Sequence, residues 1–467
     1  MAITWLWSSL SVFLLFLALR LSPKARRKNQ NLPPSPVPAL PVIGHLHLLK
    51  QPLHRTLHRL SQKLGQQIIS LRFGSRLVVV VSSPAAVEEC FTKNDIVLAN
   101  RPFFAIGEHV GYNQTTVVRP QWSELPTVTT GATSVDFALS RSSPQVGSTC
   151  SCPFERTRSG FLFTSWLKLH VELKSKLFEL SFNNIMRMVA GKRYLGEDVD
   201  NHEEAERFRE LIREAFAQSV ASNPGDYLPV LRWINYKGME KNLVRLGKKM
   251  DAFMQGLVDE NRRGNGKNNN MISHLLSLQE SQPEYYTDQI IKGLALVMLN
   301  AGTDTSSVTI EWAMTLLLNH PDVLKKARAE LDNHQHPCYY RMSHPLIAQS
   351  GDTMFHVAQF LLVNAWAIHR DPRVWEDPTS FKPERFEAGE VEGHRLMPFG
   401  MGRRSCPGTG LAQRVLGLAL ASLIQCFEWE TMSENQKDLT EGTGLSMPKL
   451  EPLVAMCRVR HIMDKIL

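Results

Sequence analysis

Apolar and polar residues follow different periods in different parts of the chain. Two β-rich runs, residues 67–73 and 76–82, lie on either side of a Gly-Ser turn and predict a β-hairpin. From residue 178 onward the pattern is mainly helical, and the long, largely apolar run 287–319 predicts a helix that crosses the interior. Charges spaced four residues apart in residues 203–219 indicate a solvated surface helix. The pattern predicts a mainly α protein with a small β portion near the amino end.

The amino-terminal segment has a composition of its own. Residues 3–19 carry no charge, and the basic residues that follow them are Arg20, Lys24, Arg26, Arg27 and Lys28. A cleaved signal peptide would carry its positive charge before the apolar run, so we interpret this segment as an uncleaved membrane anchor with the remainder in the cytosol. A proline-rich spacer follows at residues 32–41. The chain therefore divides into a membrane anchor (1–22), a basic stop and Pro-rich hinge (23–44), and a catalytic domain (45–467).

Composition narrows the class of protein. The 467 residues are 43% apolar and 21% charged, which is ordinary for a globular chain and excludes a disordered or fibrous one. Seven cysteines are too few for a disulfide scaffold, and their odd number leaves at least one thiol unpaired, which suits a reducing compartment. The net charge of +8 suits an anionic membrane surface or an acidic partner protein. No Arg-rich tract or zinc-finger spacing indicates nucleic acid.

The strongest chemical signal is the segment 398–408, Pro-Phe-Gly-Met-Gly-Arg-Arg-Ser-Cys-Pro-Gly. Cys406 lies among glycines and arginines just before a helix-compatible run, where positive charge and unpaired amides favour a thiolate. The glycines let a flat ligand approach the backbone, and Arg404 offers a partner for a carboxylate. A flat ligand that carries carboxylates and takes an axial thiolate is haem. An isolated cysteine would more often be an inert buried thiol, but the complete pattern favours a ligand.

The pattern Phe-x-x-Gly-x-Arg-x-Cys-x-Gly resembles the haem-binding loop of the cytochrome P-450 monooxygenases. It is matched here by Phe399, Gly402, Arg404, Cys406 and Gly408. Residues 301–306, Ala-Gly-Thr-Asp-Thr-Ser, are similar to the family's motif in the helix on the oxygen-binding side of the haem, and residues 383–386 match its Pro-Glu-Arg-Phe motif. The anchor, the hinge and the carboxyl-terminal region are similar to those of plant microsomal members, especially the isoflavone-hydroxylase-like branch.

The resemblance implies the cytochrome P-450 fold and a bound haem b, which is iron protoporphyrin IX with an axial cysteine thiolate. Cys406 is then the iron ligand and Arg404 binds a haem propionate. Asp304 and Thr305 deliver protons during oxygen activation, and Gly302 opens the helix face for dioxygen. Electrons are expected from NADPH through a membrane-bound NADPH–cytochrome reductase. The implied location is the endoplasmic reticulum membrane, with a single amino-terminal anchor in the lipid bilayer and the catalytic domain facing the cytosol.

Two family segments are replaced or missing. Residues 119–160 contain 14 Ser or Thr, four Pro and three Gly without a regular period, and residues 333–360 are also irregular. The first region lacks the family's Trp-x-x-x-Arg motif, and no Glu-x-x-Arg motif precedes residue 383 within the expected region. In the family that Glu and Arg pair with the arginine that corresponds to Arg385. We therefore expect Arg385 to be an uncompensated buried charge, at a cost of roughly 3–5 kcal/mol, and we expect the chain to bind haem poorly for this reason.

The function that these residues favour is a haem-dependent monooxygenase. It would insert one oxygen atom from dioxygen into a small apolar or phenolic, flavonoid-like plant metabolite. The alternative is a non-catalytic remnant of such an enzyme, or a faulty gene sequence, that binds haem poorly. A third possibility is another haem-thiolate reaction, such as peroxide-driven isomerisation or dehydration. The intact pair Asp304 and Thr305 argues against this third reaction, because peroxide-using relatives often dispense with the pair.

Overall fold

The computed structural model describes residue 11 and residues 32–99, 101–113, 170–196, 202–220, 223–264, 270–333, 353–356, 360–387, 391–430 and 438–460. The expected membrane anchor, residues 1–22, lies outside the described residues except for residue 11. The aberrant stretch 119–160 lies wholly outside them. Of the second stretch, 333–360, the structure describes the two end residues and residues 353–356.

The described part of the chain is mainly helical with a small sheet portion, as predicted. Its helices are α1 (Leu53–Leu64), α2 (Pro84–Phe91), α3 (Asp95–Leu98), α4 (Ala105–His109), α5 (Leu173–Ala190), α6 (His202–Val220), α7 (Pro229–Trp233), α8 (Met239–Arg263), α9 (Met271–Ser281), α10 (Asp288–Asn319), α11 (Pro321–Asn333), α12 (Ala365–Ile368) and α13 (Thr409–Cys426). Its strands are β1 (Ile68–Phe73), β2 (Arg76–Val81), β3 (Val171–Glu172), β4 (Thr353–His356), β5 (Phe360–Val363), β6 (Phe427–Glu430) and β7 (Val454–Val459). Short 3-10 helices are formed by Leu46–Leu48, Pro224–Asp226, Tyr236–Gly238, Pro383–Phe386 and Gly402–Arg404.

The long apolar helix is α10, and it crosses the interior as predicted. Its N-cap residue Thr287 accepts a hydrogen bond from the Ile290 amide at 3.4 Å, and the helix ends just before Pro321 begins α11. Twenty of its 32 residues are buried. Because α10 packs against both α5 and α13, it connects the two largest parts of the apolar core.

The strands form two sheets, and only the first is partly near the amino end. This sheet has the order β1-β2-β5-β4, in which β1 and β2 form the predicted hairpin with Ile68 opposite Val81. The second sheet, β3-β7-β6, comes largely from the carboxyl-terminal region. The prediction of a β portion near the amino end therefore accounts for β1 and β2 but not for the second sheet. β4 lies inside the stretch 333–360 and pairs antiparallel with β5, so that stretch is not irregular throughout.

Helix α6 is a surface helix with exposed charges, as predicted, and it also has one buried face. Glu203 and Arg207 are exposed on its outer side. Its buried residues are Phe208, Leu211, Ile212 and Ala215. The ring of Phe208 stacks on Phe253 of α8 with a centroid distance of 4.0 Å. The charges mark only the outer face, and the apolar residues between them form the inner one.

A buried carboxylate connects the carboxyl-terminal segment to the first helix. Glu441 accepts hydrogen bonds from His54 and Arg55 of α1, both at 2.9 Å, and from the Trp366 indole of α12 at 3.2 Å. Burial acts to raise the pKa of Glu441, but the hydrogen bonds and charges of His54 and Arg55 outweigh it and lower the pKa to about 2. The ionised form of Glu441 therefore stabilises the folded chain.

Replacing Glu441 with glutamine is expected to lower the free energy of unfolding at pH 7 by roughly 2–3 kcal/mol. The pKa is below its ordinary value of 4.5 in the folded chain. The stabilisation is therefore present above that pH and is lost as the pH falls towards the folded pKa. Equilibrium denaturation at pH 7 and at lower pH measures the effect. The difference between E441Q and the wild type should shrink on acidification, and a difference independent of pH would contradict this origin.

Candidate functional site

The loop that contains Cys406 is shaped by its own backbone. The Cys406 amide donates to the Phe399 carbonyl at 2.8 Å, and the Thr409 hydroxyl donates to the Cys406 carbonyl at 2.7 Å. Gly400 and Gly402 have φ values of +69° and +63°, which glycine adopts without strain. Cys406 is exposed, and α13 begins three residues after it. The thiol therefore lies near the positive end of a helix and is open to a ligand.

Arg404 and Arg101 form a cationic pair beside this loop. Arg404 is 7% exposed and donates from Nε to the Ala99 carbonyl. Burial, followed by the positive charge of Arg101, lowers the pKa of Arg404 to about 9, although Asp95 partly offsets these effects. Burial also lowers the pKa of Arg101. Two guanidinium groups that act on each other's charge attract an anion, so the pair fits a ligand with carboxylates. Sequence reasoning missed Arg101 as part of the site.

Helix α10 is locally open where the two predicted proton-delivering residues lie. Ala301 and Thr305 are exposed, whereas Thr303 and Ser306 on neighbouring faces are buried. The Thr305 hydroxyl donates to the Ala301 carbonyl at 2.6 Å, which is the back-bond expected of a mid-helix threonine. An exposed stripe on an otherwise buried helix leaves room for a ligand beside it.

The cysteine loop and the middle of α10 are connected through the first turn of α13. Leu411 in that turn packs against the apolar cluster that contains Met298 and Leu299 of α10. Helices α10 and α13 are also in direct contact with each other. Thr305 and Cys406 are about a hundred residues apart in the sequence.

Gly302 lies where α10 approaches α5. A Cβ atom built at this position would lie 2.7 Å from Cδ1 of Ile185 in α5. The missing side chain therefore allows two core helices to approach each other. That Gly302 opens the helix face for dioxygen stays a prediction; the exposed positions next to it on α10 are Ala301 and Thr305.

Asp304 is held by a serine that no local motif indicates. Ser446, in the carboxyl-terminal loop 142 residues away, donates a hydrogen bond to Oδ2 of Asp304. The same loop contacts α10 again where the Trp312 indole donates to the Met447 carbonyl at 3.0 Å. The neighbouring Leu445 is 73% exposed. The same loop therefore carries both the exposed side chain of Leu445 and the serine that donates to Asp304.

Arg385 is not left without partners, contrary to expectation. Its guanidinium donates at 2.9 to 3.2 Å to the carbonyls of Glu376, Asp377, Ser380 and Lys382. The side chain is only partly buried. The cost of an unpaired buried charge therefore does not apply, because backbone acceptors within the same loop satisfy the donors.

The sequence model of the family Cytochrome P450 matches residues 33–344 and 357–456 of this chain. The first matched segment includes residues 119–160. The interval between the two segments, residues 345–356, lies within the stretch 333–360. The match therefore extends over the cysteine loop and α10, whereas strand β4 lies in the unmatched interval.

Similar proteins come from several plants. Cytochrome P450 81Q32 of Catharanthus roseus is 51% identical over 501 aligned positions, which cover 99% of this chain and 98% of that protein. The (+)-piperitol/(+)-sesamin synthase CYP81Q2 of Sesamum radiatum is 49% identical, with 99% and 98% covered. Isoflavone 2'-hydroxylase of Glycyrrhiza echinata is 45% identical, with 94% of each covered. The first alignment has 501 positions against 467 residues, so at least 34 positions have no residue in this chain.

Proposed function

The chain belongs to the cytochrome P450 family, and we propose that it hydroxylates a flavonoid-like plant phenolic at a haem bound by Cys406. As a member of this family it is a haem-dependent monooxygenase that receives electrons from a redox partner. The observation that best supports the proposed site is the exposed thiol of Cys406 at the amino end of α13, two residues after the buried Arg404 of the same loop. Arg404, together with Arg101, offers the positive charge that two propionates require.

The residues of the loop would hold the haem in complementary ways. Cys406 would bind the iron as a thiolate at the amino end of α13. Arg404 and Arg101 would bind the carboxylates. Gly408 adjoins the sulfur: a Cβ at this position would be in ordinary van der Waals contact with the Cys406 Sγ, at 3.8 Å. When bound, haem supplies the oxygen chemistry, and the electron density of the thiolate favours O–O cleavage.

Asp304 and Thr305 would deliver protons to this site. The Thr305 hydroxyl lies on the exposed stripe of α10, where it can exchange its bond to the Ala301 carbonyl for one to a ligand. Asp304 adjoins it in the sequence, and its carboxylate is oriented by Ser446. In this arrangement Asp304 returns a proton to Thr305 through water after each transfer.

We further propose that the electrons come from NADPH through a membrane-bound reductase, and that the domain docks on a lipid bilayer. Exposed apolar residues support the docking: Val230, Trp233, Ile234 and Tyr236, of which Trp233 is 92% exposed. The β1–β2 turn contacts both the end of the hinge and the segment that leads to these exposed residues. In that turn, the Gly74 amide donates to Ile43 at 3.1 Å and the Ser75 amide donates to Tyr227 at 2.9 Å. By length and composition α13 could also span a membrane, but residues 419–425 within it are buried in the protein.

The names of the relatives direct the test of the substrate class. One is an isoflavone hydroxylase and another is a (+)-piperitol/(+)-sesamin synthase. The full chain with a plant reductase, NADPH and labelled dioxygen should add one labelled oxygen atom to an isoflavone. A second reaction with the substrate of the (+)-piperitol/(+)-sesamin synthase tests the other class. Product only in the second reaction would overturn the flavonoid-like assignment, and no product in either would contradict the proposed function.

Replacing Thr305 with alanine is expected to lower the product formed per NADPH consumed at least several-fold, with electrons diverted to peroxide. A positioned proton donor typically contributes about 10²–10⁴ in rate, so its loss lets unproductive release compete. The matched control is Thr309→Ala, which removes a hydroxyl one turn later that bonds back to the Thr305 carbonyl at 2.7 Å. Equal coupling in T305A and the wild type would place the proton path elsewhere.

A further inference from the structure

Helix α3 lies directly against the loop that contains the cysteine. Its first residue, Asp95, has a side chain that is 15% exposed. The Arg403 amide donates to Oδ1 and Oδ2 of Asp95 at 3.1 and 3.3 Å, and Nε of Arg403 lies 3.1 Å from Oδ2. A single carboxylate therefore contacts both the backbone and the side chain of one loop residue.

The hydrogen bond from the Arg403 amide to Asp95 satisfies a backbone group near the start of a short 3-10 helix. The 3-10 helix Gly402–Arg404 is preceded by Met401, which makes no side-chain capping bond. Amides at such a start need an acceptor, and an ionised carboxylate is a strong one. Asp95, which is 308 residues away in the chain, provides that acceptor.

The neighbouring loop residues contact the same segment. A Cβ on Gly402 would lie 2.5 Å from Oδ1 of Asp95 and 3.0 Å from the Phe91 carbonyl, so only glycine allows this approach. Arg404 donates from Nε to the Ala99 carbonyl. Three successive loop residues, ending two positions before Cys406, thus rest on the segment from Phe91 to Ala99.

We propose that Asp95 is a positioning residue for the metal ligand, and that its carboxylate fixes the backbone from which Cys406 reaches the iron. This inference rests on the proposed function for the identity of the ligand. The capping of the loop by Asp95 does not rest on that function, because the hydrogen bond joins two residues of this chain. The alternative is an ordinary ion pair with the Arg403 side chain. An ion pair predicts equal effects when either partner is removed, whereas capping predicts a much larger effect for Asp95.

The test compares four variants of the full chain: Asp95→Ala, Asp95→Asn, Asp95→Glu and Arg403→Gln. Hydrogen exchange of residues 399–408, in protein produced without haem, reports the loop itself. We expect D95A to speed exchange about tenfold or more, since a charge-assisted hydrogen bond is lost. R403Q should stay within about twofold of the wild type because the capping bond remains. D95N, which keeps one acceptor oxygen, should be intermediate.

The spectrum of the haem-loaded variants reports the ligand. D95A should convert much of the reduced carbon monoxide complex from the red-shifted thiolate form to a blue-shifted form, with D95E restoring more of the thiolate form than D95N. Equal exchange and equal spectra in D95A and R403Q would overturn the proposal. If the wild type itself lacks the red-shifted form, the proposed function fails. The exchange comparison then still decides whether Asp95 caps the loop.

Discussion

Replacing Cys406 with serine is expected to abolish the red-shifted Soret band of the reduced carbon monoxide complex. The shift requires a thiolate on the iron, and a serine hydroxyl cannot supply that electron density. Haem bound elsewhere or loosely would leave an ordinary, blue-shifted band. The measurement is the carbon monoxide difference spectrum of the purified full chain, scaled to its haem content.

The other described cysteines provide the matched controls. Burial raises the pKa of the thiols of Cys90, Cys426 and Cys457, to about 11 for Cys426 and about 12 for Cys457. Burial therefore disfavours their thiolates, and Cys90→Ser or Cys426→Ser should leave the red-shifted band in place. A red-shifted band that survives in C406S would exclude Cys406 as the ligand.

Replacing Arg404 or Arg101 with glutamine is expected to weaken haem binding by about 10- to 100-fold for each substitution. A charge-assisted hydrogen bond to a carboxylate is worth about 1.5–3 kcal/mol, and about 1.4 kcal/mol corresponds to tenfold in affinity. Haem titration of each variant measures the loss. The control is Arg414→Gln, which removes an exposed arginine of α13.

In the haem-free chain, replacing Arg101 should not be destabilising, in contrast to its expected effect on haem binding. Its charge adds to the cost of keeping Arg404 protonated, and no residue in the described part of the chain accepts a hydrogen bond from it. Removing it relieves repulsion, so R101Q should not lower the thermal midpoint of the haem-free chain. Lower stability together with unchanged haem affinity would show that Arg101 is a structural residue and not a ligand for propionate.

Local pattern was sufficient for the elements whose signals are local. The β1–β2 hairpin, the interior helix α10 and the cysteine loop are each specified by residues close together in the chain, through turn glycines, apolar length and a complete motif. The second sheet has no such signal, because β3 pairs with β7 from the other end of the chain. The buried face of α6 was missed because its charged residues dominate the pattern.

The site residues that the sequence did not indicate all act over long separations. Asp95 meets Arg403 across 308 residues, and Ser446 meets Asp304 across 142. Neither lies in a motif, and each interaction depends on how separate elements pack. Arg385 shows the converse error. Its family partners are missing from the sequence, yet the backbone carbonyls of its own loop take their place.

The haem content and spectrum of the unaltered full chain test the central claim most directly. The chain lacks two motifs of its family, and at least 34 aligned positions of a close relative have no counterpart in it. We expect close to one haem per polypeptide and a red-shifted Soret band in the reduced carbon monoxide complex, because the cysteine loop, its arginines and α10 are all in place. A folded chain that retains little or no haem would contradict this and would identify it as a non-catalytic remnant.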